Sequence, residues 1–415
     1  MAHSITIDSF GPLPVERPAT VADLCALVTR TRAAKQGLYP VGGRTTLDIG
    51  LPPSKPGVAC DTTALAGVID YPARDMTITV RAGTTVAAVQ AELAKEGQWL
   101  PVDVPSPEKA TLGGAVAVNA SGPRRLGYGT LRDYVIGISF VTDDGVEVKA
   151  GGRVVKNVAG YDLMKLQIGA LGTLGVVTQL TLKVKPKPEA AASVVFGCDS
   201  ASLAGVLDLI AASKTRPVAV ELLNQSAWRV GEVTGGLRPP LASEQEWTIL
   251  IGFEEKPAAV RWQVSTLLDE LKSAPVRGAV ELPDTAFCTA LTALQLRPES
   301  RYVWKASVLP SKLAEVAASV PTTFPCLVHA HALSGVIRFH APTAGEPVDH
   351  HKFGWMEQRL AVAGSHHYVM PRCPSEHKKS LRVWGRPGDD DLMRHVKKTL
   401  DPDNVFNPGR LFGEV

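Results

Sequence analysis

Four glycine-bearing segments, in a fixed order along the first half of the chain, restrict its folding more than any other feature. They are Pro40-Val-Gly-Gly-Arg-Thr-Thr46, Thr111-Leu-Gly-Gly114, Lys156-Asn-Val-Ala-Gly-Tyr-Asp162 and Gly172-Thr-Leu-Gly175. Glycine loops without a Cβ let backbone N–H groups converge on one anionic group. The first segment follows a strand-like Leu38–Val41 and adds a cation, Arg44, and two hydroxyls, Thr45 and Thr46. That is a set of parts for a pyrophosphate, although a tight turn with an exposed arginine would explain this loop alone. It is neither a Walker A sequence nor G-x-G-x-x-G, which disfavours P-loop and dinucleotide Rossmann folds.

The run from Thr111 to Gly122 is small-residue rich, with Thr111, Asn119 and Ser121 as hydrogen-bonding positions. Such a run suits backbone lying against a planar, bulky ligand, and a close helix-on-sheet contact would select the same residues. Pro105, Ser106 and Pro107 precede it as a rigid, polar-lined loop. Order and spacing together point to the walls of a large dianionic nucleotide site.

A length of 415 residues implies more than one domain. The net charge of +3, with no basic run interleaved with aromatics, argues against nucleic acid. No apolar run reaches the roughly 18 residues that span a bilayer, and Met1–Pro18 does not read as a leader, so the expected location is cytoplasmic, with membrane contact only through partners. Six dispersed cysteines without a Cys-x-x-Cys pair exclude a typical iron–sulfur cluster or zinc ribbon.

Thr20 caps an expected helix that stops at Gly37, and Thr84 opens another that ends near Gly97. A hairpin is expected at Val135–Thr142 and Val146–Lys149 around Asp143-Asp-Gly145. Lys185-Pro-Lys-Pro188 is the expected domain boundary. Beyond it, strands at 193–197, 218–222 and 247–253 with helices at 202–212 and 258–271 form one set. Strands at 302–308, 326–332 and 335–340 with helices at 311–319 and 353–363 form a second. Two βαββα units side by side predict one antiparallel sheet with helices on one face. The expected organisation is α+β, with domains at 1–188 and 189–389 and a returning segment at 390–415.

With these residues together, the chain resembles the FAD-binding domain of the vanillyl-alcohol oxidase/p-cresol methylhydroxylase superfamily, from about Arg17 to Pro188. Asp401-Pro-Asp-Asn-Val-Phe-Asn-Pro-Gly-Arg410 is a further mark. Within it the chain is similar to the FAD-binding E subunits of bacterial glycolate oxidases. Ser121-Gly-Pro-Arg-Arg-Leu-Gly-Tyr-Gly-Thr-Leu-Arg-Asp133, Lys156–Leu163 and Asn407-Pro-Gly-Arg410 carry this likeness. The resemblance implies a PCMH-type FAD domain of two α+β subdomains with an antiparallel-sheet cap. Gly42, Gly43, Arg44, Thr45 and Thr46 would take the pyrophosphate. Pro105, Ser106, Thr111, Gly113, Gly114, Ser121 and Gly122 would line the flavin and ribityl chain, and Gly175, Val176 and Val177 the adenine side. Arg44 stands where covalent relatives carry a histidine, so noncovalent FAD is expected.

In the second half the resemblance implies a carboxylate-binding Arg297, a strand lysine, Lys305, and a base, His331. The relatives' metal pattern, His-x-x-Gly-Asp-Gly-Asn-x-His, falls on His331–Arg338, where Val336 and Arg338 replace an asparagine and a histidine, so no metal is expected. His329 and His331 share a strand face by period two, with polar positions on a half-exposed sheet as the alternative. Glu376-His377 resembles the family's Glu-His pair, His366 and His367 read as surface residues, and Leu171 replaces the catalytic relatives' glutamate. The implied role is the FAD subunit of a 2-hydroxy acid (glycolate) oxidase, working with a catalytic FAD subunit and an iron–sulfur subunit. The alternatives are a non-catalytic assembly or electron-relay subunit and a stand-alone sugar or aldonolactone oxidase.

Overall fold

The computed structural model describes residues 4–153, 162–230, 246–320, 326–342, 358, 368–385, 388 and 390–411. The Lys156–Tyr161 part of the third glycine segment, the expected helix at 353–363 apart from residue 358, and His366 and His367 lie outside the described residues.

The chain begins with strands β1 (Ser4–Ile7) and β2 (Phe10–Glu16), helix α1 (Val21–Ala33) and strand β3 (Gly37–Val41). Thr20 starts α1 as read from sequence: its side chain accepts from Asp23 N at 3.1 Å, and Asp23 accepts from Thr20 N at 2.9 Å. Leu24, Leu27 and Val28 are its buried stripe. Strand β4 (Gly57–Asp61) completes a four-stranded sheet in the order β1-β2-β4-β3, antiparallel between β1 and β2 and parallel elsewhere.

Next come β5 (Val68–Asp70), β6 (Thr77–Arg81), α2 (Val86–Ala94), β7 (Gln98–Trp99), α3 (Leu112–Ala117), α4 (Arg125–Tyr128), α5 (Leu131–Tyr134), β8 (Val135–Val141), β9 (Glu147–Gly151), α6 (Met164–Gln167), β10 (Val176–Lys183) and β11 (Lys185–Pro186). Five of the strands form an antiparallel sheet ordered β5-β6-β10-β8-β9, while β11 pairs with β7. The small-residue run from Thr111 is thus partly helix, capped by Thr111, whose Oγ1 accepts from Gly114 N. Gly113 shows that close helix–sheet contact also selects these residues: a Cβ there would lie 2.8 Å from the Ala82 side chain.

The second half contains β12 (Ala190–Cys198), α7 (Ser200–Ala212), β13 (Ala219–Asn224), α8 (Gln225–Arg229), β14 (Trp247–Glu255), α9 (Pro257–Leu271), β15 (Arg277–Leu282), α10 (Ala286–Leu294), β16 (Ser300–Ser307), α11 (Leu313–Ala318), β17 (Leu327–His331), β18 (Val336–Pro342) and β19 (Tyr368–Arg372). These eight strands make one antiparallel sheet in the order β15-β12-β14-β13-β17-β18-β16-β19. The first four strands are arranged 4-1-3-2 and the second four 2-3-1-4, so the two repeats meet back to back through β13 and β17.

Helices α7, α9 and α11 pack with Val194, Ile249, Trp304 and Phe339 on one face. The expectation of helices on one face only is corrected by α8 and α10, which bury Trp228 and Leu291 against Leu223 and Leu250 on the other. The signal for α10 was Pro283-Asp-Thr285 just before it, where Asp284 Oδ1 accepts from Ala286 N at 2.9 Å. Helix α12 (Asp390–Leu400) leads back to the first half, where Phe406 bridges to Leu38 beside β3.

Candidate active site

The first loop leaves β3 and presses against the segment that enters α3. A Cβ on Gly42 would lie 2.1 Å from Thr111 Oγ1, and one on Gly43 only 1.7 Å from the Lys109 carbonyl oxygen. Glycine is required there because the loop packs directly on the Thr111 side chain and the Lys109 backbone. Arg44 then takes a left-handed φ of 60°. Gly42, Gly43, Arg44, Thr45, Thr46, Thr111 and Gly114 line a cleft. An adjoining lobe is lined by Gly113, Gly175, Val176 and Val177. Ala117, Leu171 and Asn407 border both. Leu171, also left-handed at 55°, donates its N–H to Ala117 O, and its carbonyl accepts from Asn407 Nδ2 at 2.7 Å. The tail thereby closes the cleft.

These residues fit a dinucleotide. Gln167 lines the second lobe with its Oε1 buried and unpartnered, and the buried Asn119 Oδ1 beside the wall residue Val118 is also unpartnered. Buried polar atoms of this kind are costly unless a ligand or water meets them.

Four expected cofactor residues are not among those lining these two lobes. Pro105 and Ser106 line a separate crevice between the 99–107 segment and α10. Ser121 and Gly122 lie at the seam between the two halves, where a Cβ on Gly122 would lie 2.6 Å from Asp103 Cβ and from Thr292 Oγ1.

The second cluster lies on the face of the eight-stranded sheet opposite α7, α9 and α11. Register places Glu221 on β13 opposite His331 on β17, His329 opposite Arg338 on β18, and Arg338 opposite Lys305 on β16. Glu221 Oε2 lies 2.6 Å from His329 Nε2 and 2.8 Å from His331 Nδ1. Arg338 Nη1 lies 2.8 Å from His331 Nε2. A guanidinium can only donate, so His331 Nε2 accepts and its proton sits on Nδ1, facing Glu221. Arg338 Nη2 donates to Gln295 Oε1 at 3.1 Å, and Gln295 Nε2 donates to Ser121 O at 3.0 Å. Arg125 Nη1 donates to Ser121 Oγ at 3.2 Å. One chain of contacts therefore runs from Ser121 in the first half to Glu221 at the centre of the sheet.

His329 and His331 are buried, not half-exposed. Burial, then Arg338, holds both well below the usual imidazole value, so they are neutral. Burial raises Glu221 and Arg338 opposes this. Half-buried Lys305 is pushed down to about 7 by burial, Arg338 and Arg125. Glu221, His329 and His331 offer three ligand atoms within 4.8 Å of one another, a spacing that can hold a metal. Arg338, Lys305 and Arg125 surround them with positive charge, which favours a proton relay over a cation.

Of the three expected catalytic residues, the structure brings Lys305 and His331 together. Arg297 sits apart: its Nε pairs with Glu299 at 3.2 Å and its carbonyl accepts from Arg372, while its charge is felt by His340. The Glu376-His377 pair lies outside the cluster: Glu376 pairs with exposed Arg301 and His377 Nδ1 meets Tyr302 Oη at 2.6 Å. Glu221 and Gln295 were missed. A glutamate inside Ala-Val-Glu-Leu-Leu is a signal that could have found the first, because a charge on a buried strand needs partners.

A family described as "FAD binding domain" matches residues 12–151, and "FAD linked oxidases, C-terminal domain" matches 185–322 and 376–411. The probable mitochondrial D-lactate dehydrogenase of Danio rerio is 32% identical over 95% of this chain and 83% of its own length. The D-lactate dehydrogenase of Archaeoglobus fulgidus is 27% identical over 96% and 90%. Glycolate oxidase subunit GlcE of Escherichia coli is 38% identical over 40% of this chain and 47% of its own length. A solved alkyldihydroxyacetonephosphate synthase shares the fold at a TM-score of 0.70 and 18% identity, over 95% of this chain and 75% of that one.

Proposed function

Because the chain belongs to the FAD-linked oxidases of the PCMH-type superfamily and is an FAD-dependent oxidoreductase acting on CH–OH groups, we propose that it oxidises a small 2-hydroxy acid as a cytoplasmic subunit of a glycolate-type oxidase complex. FAD is held noncovalently, since Arg44 offers no histidine for attachment. The partners are a catalytic FAD subunit and an iron–sulfur subunit, which the GlcE-like segment and the lack of a Cys-x-x-Cys pair support. No helix among the described residues is long and apolar enough to cross a membrane.

The observation that carries the reading is the Glu221–His331–Arg338 array, joined to Ser121 through Gln295. Arg338 turning from His331 to the substrate carboxylate frees Nε2, and Lys305 adds a second cation for that carboxylate. His331 then takes the hydroxyl proton while Glu221 steadies the imidazolium. Bound FAD supplies the acceptor for the hydride leaving the α-carbon. Arg297, in the connection between α10 and β16, guides the anion in.

Anaerobic mixing with glycolate and D-lactate tests this. Flavin bleaching is expected with the isolated chain, and H331Q should slow it by about 10²- to 10⁴-fold while leaving FAD bound. No bleaching of the isolated chain by any 2-hydroxy acid would sink the proposal. The second reading, an assembly or relay subunit, draws on Leu171 and on Arg338 covering His331 at rest; bleaching only with partners present supports it.

A further inference from the structure

The five residues after the pyrophosphate loop, Leu47–Leu51, turn every backbone carbonyl inward onto two buried cations. Lys378 Nζ donates to Asp48 O at 2.5 Å and Gly50 O at 2.8 Å. Arg410 donates to Leu47 O and Ile49 O at 2.5 Å and to Leu51 O at 2.6 Å. Asp8, in the turn between β1 and β2, accepts from Lys378 at 2.6 and 2.7 Å and from Arg410 at 2.5 Å. The three side chains are 0%, 7% and 4% exposed for Lys378, Arg410 and Asp8.

An ammonium has three donors, and here all are used. Five carbonyls pointing inward have no helix or ladder to pair with, so this loop shape depends on both cations. Two positive charges against one carboxylate leave a surplus of one. That surplus sits beside the cleft, which Arg410 lines together with Arg44, Thr45 and Thr46. The knot joins distant parts of the chain: the first hairpin, the segment after β19, and the tail. Arg372 on β19 adds an ion pair to Asp48 at 3.4 Å, and Ser375 Oγ donates to Asp8 at 3.3 Å.

We propose that Lys378 and Arg410 are positioning residues for the FAD pyrophosphate: by holding residues 47–51 they fix the preceding loop, so the cofactor site is complete only once the 372–378 segment and the tail have docked. The inference rests on reading residues 42–46 as the pyrophosphate loop. Lys378 itself touches no cofactor; it acts through the loop.

Calorimetric titration of full-length apoprotein with ADP, AMP and FAD tests it, using K378M, R410K and, as reference, R44A. ADP carries the pyrophosphate without the flavin, and AMP lacks the pyrophosphate. K378M and R410K are expected to raise the Kd of ADP and FAD about tenfold or more while changing AMP less than about threefold, with a wild-type circular dichroism spectrum. Should K378M fail to fold, R410K, which keeps the charge but cannot span three carbonyls, decides alone. An ADP Kd within twofold of wild type in the folded variants, with R44A weakened, overturns the inference. If R44A also leaves ADP unaffected, the loop assignment itself fails and the inference with it.

Discussion

Replacing Arg124 by methionine should loosen the seam between the two halves, and the structure sets the size of the effect. Arg124 Nη1 donates to Asp103 Oδ1 at 2.7 Å, Nε to Glu254 Oε1 at 2.8 Å and Nη2 to Thr285 Oγ1 at 3.1 Å. Asp103 and Glu254 side chains are only 8% and 2% exposed. Methionine keeps the packing on Trp99, whose ring lies 5.6 Å from the guanidinium, but leaves two carboxylates buried without their cation. Breaking a buried pair this way costs about 3–5 kcal/mol. Asp103 is already raised by burial despite Arg124, and it rises further without it. A carboxyl raised above its unfolded value binds more protons in the folded state, so its contribution is present at low pH and lost as pH climbs through the folded value. The deficit of R124M in urea unfolding should therefore be largest near pH 7.5 and shrink toward pH 5. Adding D103N and E254Q should recover most of it. A loss below about 1 kcal/mol, or one that does not shrink on acidification, would refute the reasoning.

Gly43→Ala places a Cβ against the Lys109 carbonyl, so the two glycine segments must separate and FAD should elute from the purified protein, read as loss of flavin absorbance. The kcat/KM for a 2-hydroxy acid should fall as pH rises through about 7, because Lys305 loses the charge that holds the carboxylate, and K305R should move that limb upward; an unchanged profile in K305R dismisses Lys305 as a substrate cation.

What was legible in the sequence follows from which interactions are local. Thr20 with Asp23 declares a helix start because the capping bonds span three residues, and paired glycines after a strand declare close backbone approach. The hairpin at Asp143-Asp-Gly145 was likewise visible, with its first strand ending one residue earlier than expected and its second running from Glu147 to Gly151. The sheet centre was not, because its order 4-1-3-2 and 2-3-1-4 depends on β13 meeting β17 across about a hundred residues. Only that meeting puts Glu221 beside His331, and only α10, absent from the sequence reading, puts Gln295 between Arg338 and Ser121. Arg338 reads from sequence as a broken metal motif. In the fold it is a cation held on the base it covers. The substitution that argued against chemistry thus supplies, through position, a guanidinium that with Lys305 and Arg125 sets positive charge around Glu221, His329 and His331, a setting suited to an anionic substrate.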